Sequence, residues 1–141
     1  MTGADVVAAA RGHLETKWAH QGRLPGAALD CAGLVIVVAR QLGLVAPDFD
    51  VNGYSRTPDG TMLRWCDETM QRMETLELGA VLTLATAQEP QHMGIVGDYR
   101  HGGWSVIHAA SNARRVIETR LMFAQNFVLR GIYRLPGVDS V

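Results

Sequence analysis

The chain has 141 residues, of which 48% are hydrophobic, and its formal net charge at pH 7 is -1. This length and apolar content predict a single domain over residues 1–141 that buries a hydrophobic core, and they exclude a disordered chain. The balanced charge gives no electrostatic reason to expect nucleic acid or an anionic membrane as the partner. No apolar run approaches the roughly 20 residues that a membrane helix requires, so membrane insertion is not expected.

The N-terminal residues 1–5 (MTGAD) lack the basic and long apolar segments of a secretory signal peptide. We therefore expect the protein to be made in the cytoplasm without a signal peptide. The two cysteines, Cys31 and Cys66, form no CxxC pair, and the five histidines have scattered spacings. This pattern favours neither a disulfide nor a metal site, and no cofactor is predicted.

The first half of the chain is predicted to be helical. Apolar residues at near-helical spacing predict a first helix over residues 5–18, with Asp5 as N-cap or first-turn acid. A breaker-rich loop over residues 20–26 follows. A second helix is predicted over residues 31–42, with Asp30 as N-cap and Gly43 at the C′ position. This helix is apolar nearly all round, so it should be buried centrally.

The second half is predicted to consist of one more helix, over residues 61–73, and then of strands. A connector over residues 46–60 precedes the helix, and a turn at residues 100–103 (RHGG) predicts a hairpin. Helices followed by a meander of strands predict an α+β domain, with the helices packed on one face of an antiparallel sheet. The predicted strands cover residues 80–85, 93–99, 104–108, 115–118 and 127–133.

Cys31 is placed for nucleophilic chemistry, because it stands at the predicted start of a helix. The positive end of the helix dipole favours the thiolate, which is the reactive form of cysteine. Gly33 in the first turn lowers helix propensity by roughly 1 kcal/mol relative to alanine. We therefore expect that glycine is required at this position for packing or for access to the site. The backbone N–H of Cys31 is the expected oxyanion donor.

Two histidines on the predicted strands complete the constellation. His92 is the natural base that forms a thiolate–imidazolium pair, and His108 is the natural group to orient it. The hairpin register places Tyr99 near Trp104 and Gly94 or Ile95 near His108, so that the histidines are offset by a few residues. Gly94 allows close approach of backbone or substrate beside His92.

The remaining candidates have plainer alternatives. Cys66 is expected to be structural, His13 and His101 are expected to be solvated, and Trp18, Trp65 and Trp104 are expected in the core or in a groove wall. His20 and Gln21 lie in the loop before the Cys31 helix, and we keep contact with the active site open for both.

The residues around these positions resemble the NlpC family of cell-wall cysteine peptidases. Residues 30–35 (DCAGLV) are similar to the family's Asp-Cys-Ser-Gly-Leu-Val nucleophile motif, and residues 92–96 (HMGIV) are similar to its His-Val-Gly-Ile-Tyr strand. Residues 107–109 (IHA) resemble the segment that supplies the third catalytic residue. The resemblance spans roughly residues 6–133 and implies a papain-like fold and an endopeptidase that cuts peptidoglycan stem peptides, typically between D-glutamate and a diamino acid.

Residues 18–23 (WAHQGR) and 54–60 (YSRTPDG) look most like short family members encoded in phage tail modules. The resemblance implies a place in the virion tail, with tail-tip or hub proteins as partners, and local action on the cell envelope during genome delivery. Two positions depart from the family. Its Pro-Tyr pair, whose tyrosine lines the oxyanion site, corresponds to Lys17 and Trp18, for which His20 or Gln21 can substitute. Its Gly-Asp pair is Gly79-Ala80.

The sequence therefore predicts Cys31, His92 and His108 as catalytic residues, with Trp18, His20, Gln21, Asp30 and Gly94 as oxyanion or substrate candidates. Two alternatives stay open. One is a structural tail-tip or hub subunit with a peptidase fold, whose catalysis is secondary or lost. The other is an amidase or acyltransferase on the same fold, because all these enzymes proceed through an acyl-enzyme.

Overall fold

The computed structural model describes residues 1–51, 61–85, 91–122 and 128–139 of the chain. Its helices are α1 (Gly3–Arg11), α2 (Cys31–Gln41) and α3 (Thr61–Thr69). Its strands are β1 (Arg23–Leu24), β2 (Ala28–Leu29), β3 (Gln71–Met73), β4 (Val81–Ala85), β5 (His92–Asp98), β6 (Trp104–Ala110), β7 (Arg115–Arg120) and β8 (Val128–Arg134). No described helix is long and apolar enough to cross a membrane.

The main sheet has six described strands in the order β3-β8-β4-β5-β6-β7, and each neighbouring pair is antiparallel. The predicted α+β class with an antiparallel sheet is therefore confirmed. The meander holds only for β4 to β7. Strand β8 returns to the other side of β4 and separates it from β3, an arrangement that strand patterns alone do not specify.

The central helix α2 follows its prediction closely. Asp30 caps its N-terminus, and Gly43 has a φ of 70°, as expected for a residue at C′. Every residue from Cys31 to Ala39 is buried, because the helix packs on α1 and on strands β5 and β6. The hydrophobic core lies between α2 and the sheet and includes Leu34, Val35, Val38, Ile95 and Ile107.

The first helix is shorter than the predicted 5–18. It begins after Thr2, which forms a capping box with Asp5, and ends at Arg11. The chain then leaves the helix to extend the sheet, since the N–H groups of Glu15 and Trp18 donate to carbonyls of residues 116 and 114. Hydrogen bonding to the exposed edge of β7 outweighs the helical spacing of Leu14 and Trp18.

The third helix is also shorter than predicted, for a similar reason. It ends at Thr69, and residues 71–73, predicted as its last turn, form β3 and pair with β8. The other predicted strands are confirmed to within two residues at each described end. Residues 52–60 of the predicted connector, with the motif at residues 54–60, and Phe127 lie outside the described residues.

The β5–β6 hairpin fixes the histidine register. Asp98, rather than Tyr99, pairs with Trp104, and the pairing continues to Ile95 and Ile107. One further step sets Gly94 opposite His108, which is one of the two partners that the sequence left open. His92 and His108 are therefore offset by two positions, and this diagonal is within reach of two imidazole side chains.

Candidate active site

Cys31 is the first residue of α2, and its side chain is almost buried, with 7% exposure. The preceding residue, Asp30, adopts an extended conformation, and its Oδ1 accepts a hydrogen bond of 2.7 Å from the N–H of Gly33. Such a cap fixes the first helical turn and the direction in which its remaining N–H groups point. The thiol thus stands at the positive end of the helix dipole, which stabilises a thiolate.

The two candidate histidines are in direct contact. Nε2 of His92 lies 2.7 Å from Nδ1 of His108, and the rings meet edge to face at a centroid distance of 4.9 Å. Gly94 makes this contact possible, because a Cβ there would lie 2.4 Å from Cγ2 of Val106 and 3.4 Å from Cβ of His108. Gly94 therefore allows the close approach that the sequence predicted, and the atoms that approach it belong to strand β6.

His92 lies in a dry environment. Its side chain is 2% exposed, and burial lowers the pKa of His92 to about 4. Its second ring nitrogen, Nδ1, is buried and has no hydrogen-bond partner among the described residues. In a neutral imidazole one ring nitrogen carries no proton, so His92 can act as a general base at one nitrogen while the other is engaged by His108.

The start of α2 and the start of β5 lie at the same end of the sheet. Lys17 forms a bridge with Arg115, the first residue of β7, and Trp18 forms a bridge with the last residue of β2, two positions before Cys31. Because β6 is antiparallel to both β5 and β7, the start of β7 is at the same end as His92. The fold therefore brings the nucleophile candidate and the histidine pair to one end of the sheet.

The carboxylate of Asp30 is engaged in hydrogen bonds and an ion pair within the protein. Besides capping α2, it accepts a 2.8 Å hydrogen bond at Oδ2 from the N–H of Gln21 and forms a 3.0 Å ion pair with Arg23. Its residue is only 3% exposed. The sequence placed Asp30 among the oxyanion or substrate candidates, whereas the structure gives its carboxylate a supporting position beneath the loop.

The loop before the helix holds the other candidates. Gln21 has a φ of 57°, which is unusual for a residue with a side chain and is held by the hydrogen bond to Asp30. His20 is exposed in a turn, and Trp18 is half-buried and packs against the core. Backbone strain of this kind is often found at functional sites.

Gly33 has the packing role that the sequence predicted. A Cβ at this position would lie 2.0 Å from the carbonyl oxygen of Gly22. The loop backbone can approach the first turn of α2 this closely only because no side chain is present. This contact sets the distance between the loop and the nucleophile helix.

Two features were not found from the sequence. Arg23, for which the sequence predicted no contacts, forms hydrogen bonds with Asp30, Asp50 and the carbonyl of Val51. His13, expected to be solvated, is buried, and its Nε2 lies 2.9 Å from Oε1 of Gln41. An arginine in such a loop gives no pattern that identifies its partners, since they are distant in sequence.

No family model and no curated protein matches the chain, but solved structures share its fold. The NlpC/p60 domain of the peptidoglycan hydrolase SagA is 21% identical, with a TM-score of 0.61 over 95% of this chain and 99% of that domain. NlpC1 from Trichomonas vaginalis is 20% identical, with a TM-score of 0.68, and this chain covers 94% of its own length and 44% of that protein.

An N-acetylmuramoyl-L-alanine amidase from Bacteroides uniformis has a TM-score of 0.66 at 10% identity, over 94% of this chain and 98% of that one. The predicted papain-like NlpC-type fold is therefore confirmed. At these identities the likeness concerns the fold alone. What the site does has to be argued from its residues.

Proposed function

We propose that this protein is a cysteine peptidase that hydrolyses peptidoglycan stem peptides, with Cys31 as nucleophile, His92 as base and acid, and His108 as the residue that orients His92. The observation that carries the proposal is the 2.7 Å contact between His92 and His108 beside a buried ring nitrogen. A purely structural pair has no need of a buried Nδ1 that lacks a partner among the described residues, because burying such an atom costs free energy. The NlpC/p60 fold supports the choice of peptidoglycan as substrate.

The proposed mechanism requires one arrangement of the protons on the two histidines. His92 must keep Nδ1 unprotonated to accept the proton of Cys31, so Nε2 carries hydrogen and donates to Nδ1 of His108. The thiolate then attacks the scissile carbonyl carbon, and the leaving amine takes the proton back from His92. Water, deprotonated by the same ring, hydrolyses the thioester and restores the free thiol.

The oxyanion formed in each step needs donors beside the thiol. The backbone N–H of Cys31 is one, since the first N–H groups of a helix have no partner within the helix. Trp18, His20 or Gln21 supplies the second donor in place of the tyrosine of the resembled family. The hydrogen bond from Gln21 to Asp30 supports this assignment, because it holds the loop close to the start of α2.

The bond that we propose is cleaved joins D-glutamate, through its γ-carboxyl, to a diamino acid. This choice rests on the sequence resemblance around Cys31 and His92. The amidase among the fold neighbours marks the competing bond, which joins the stem peptide to the sugar. Both reactions use the same acyl-enzyme chemistry, so triad geometry cannot distinguish them.

Mass spectrometry of the fragments released from purified peptidoglycan tests the proposal. We expect fragments cut within the stem, with a new amino terminus on the diamino acid. Release of intact stem peptides would reassign the protein as an amidase. No release from any peptidoglycan chemotype would contradict the proposed function.

We further propose that the protein is carried in a phage tail, where it opens the cell wall during genome delivery. The support is the resemblance of residues 18–23 and 54–60 to tail-module members of the family. We expect the protein in purified particles, and particles with Cys31→Ala should assemble but infect poorly. Normal infectivity of these particles would favour the structural tail subunit instead, and absence of the protein from particles would contradict a place in the virion.

A further inference from the structure

Arg23 is the centre of a small charge network beneath the start of α2. Its Nη1 donates to Oδ1 of Asp30 at 3.0 Å, and its Nε donates to Oδ1 of Asp50 at 2.7 Å. The remaining donors reach the carbonyl oxygens of Gly22 at 3.0 Å and Val51 at 2.9 Å. The side chain is only 12% exposed, so these bonds are largely shielded from water.

Among the described residues, the network contains two arginines and two aspartates, because Arg40 lies 3.9 Å from Oδ2 of Asp50. Burial acts to raise the pKa of Asp50, but the hydrogen bonds from Arg23 and from the N–H of Val51 outweigh it, and the pKa is lowered. The carboxylate of Asp50 is therefore ionised at neutral pH and pairs with the arginine charges.

The charge of Asp30 affects the Cys31 thiol because the two residues are neighbours. Asp30 is adjacent to Cys31 in sequence, and its Oδ1 lies 2.7 Å from the N–H of Gly33. A carboxylate across the first turn would oppose the helix dipole at the thiol and disfavour the thiolate. The cap that forms this helix would thus weaken its nucleophile unless a cation compensates.

We propose that Arg23 is a positioning residue that cancels the charge of Asp30 beside Cys31 and holds the loop of residues 19–22 against the start of α2. A capping aspartate can then shape the helix without raising the pKa of the nucleophile. This role rests on the proposed function, because it serves Cys31 as the nucleophile of that reaction. The reactivity of Cys31 can be measured without peptidoglycan, so the two proposals fail separately.

Among the residues that the structure describes, Arg23 forms the ion pair with Asp30. The elements packed against α2 carry further titratable side chains: Asp5 and Arg11 on α1, His92 and Asp98 on β5, and His108 on β6. Arg11 is engaged by Asp98 and Glu118 at the far end of the hairpin. Burial keeps His92 neutral near pH 7 and raises the pKa of Cys66, which is also influenced by Cys31.

The test is the pH dependence of Cys31 alkylation by iodoacetamide, read by mass spectrometry on the peptide that contains Cys31. We expect Arg23→Met to raise the midpoint by about one pH unit and to slow alkylation below the midpoint about tenfold. Asp30→Asn, which still caps the helix, should lower the midpoint. The double variant Arg23→Met/Asp30→Asn should return close to the wild-type midpoint, because the uncompensated charge is gone.

Two controls separate charge from structure. Arg23→Lys keeps the cation and should stay near the wild-type midpoint, although it loses the forked hydrogen bonds. Arg40→Met removes an arginine from the same network, roughly 13 Å along the helix from Cys31, and should leave the midpoint unchanged. Equal midpoints in wild type and Arg23→Met, or a double variant displaced as far as Arg23→Met, would overturn the proposal. If Arg23→Met does not fold, an unshifted Asp30→Asn midpoint would overturn it.

Discussion

At the scale of single residues, the sequence named candidate catalytic residues but did not predict their environment. Cys31, His92 and His108 were named from their motifs, and the predicted hairpin register was within one residue of the observed pairing. The burial of His92 could not be predicted, because it depends on elements that are distant in sequence. The same holds for His13, which was expected to be solvated and is buried beside Gln41.

The burial of His92 predicts a pH dependence of stability. Its pKa falls from an ordinary value near 6.5 to about 4 on folding, so the unfolded state binds more protons between these pH values. Stability should fall as pH drops through this window, by up to about 3 kcal/mol from this group.

Urea unfolding at several pH values measures this dependence. His92→Gln should have a shallower loss of stability between pH 6.5 and 4 than the wild type, because one titrating group has been removed. His101→Gln, at an exposed turn position, should keep the wild-type slope. Parallel curves for wild type and His92→Gln would mean that His92 protonates freely in the folded protein.

At the scale of elements, local signals predicted α2 and failed at the ends of α1 and α3. The helix α2 has an N-cap at Asp30, a glycine at C′ and an apolar surface all round, and all three signals predict the same buried helix. The predicted continuations beyond Arg11 and Thr69 were helical by spacing alone. In both places the chain forms sheet hydrogen bonds with distant residues, which no local pattern reveals.

The contact between α2 and its preceding loop gives a prediction at this scale. Gly33→Ala places a methyl group 2.0 Å from the carbonyl oxygen of Gly22, so the loop has to move away from the helix. We expect a loss of about 2 kcal/mol or more, despite the higher helix propensity of alanine. Displacement of the loop should also lower activity.

Thermal and urea unfolding measure the effect, and Gly12→Ala is the matched control. Gly12 has an ordinary φ of -64°, and a Cβ there would come no closer than 3.2 Å to the carbonyl oxygen of Ala9. We expect this control to stay within about 1 kcal/mol of the wild type. Equal stability of the two variants would show that the loop does not depend on the glycine at position 33.

At the scale of the whole molecule, the α+β class followed from the order of helices and strands, but the sheet order did not. Consecutive strands β4 to β7 pair as a meander, and hairpin turns predict such pairing. The return of β8 to pair with both β4 and β3 depends on long-range contacts. This topology brings the start of α2, with Cys31, and the start of β5, with His92, to the same end of the sheet.

The central claim is that this site cleaves peptidoglycan through Cys31, and the two cysteines allow a matched test. Cys66 is fully buried in the core on α3, with a raised pKa, and has no part in the proposed chemistry. The measurement is the release of new amino groups from purified peptidoglycan by folded wild type, Cys31→Ala and Cys66→Ala. We predict that Cys31→Ala abolishes release while Cys66→Ala retains it. Full release by folded Cys31→Ala would contradict the account.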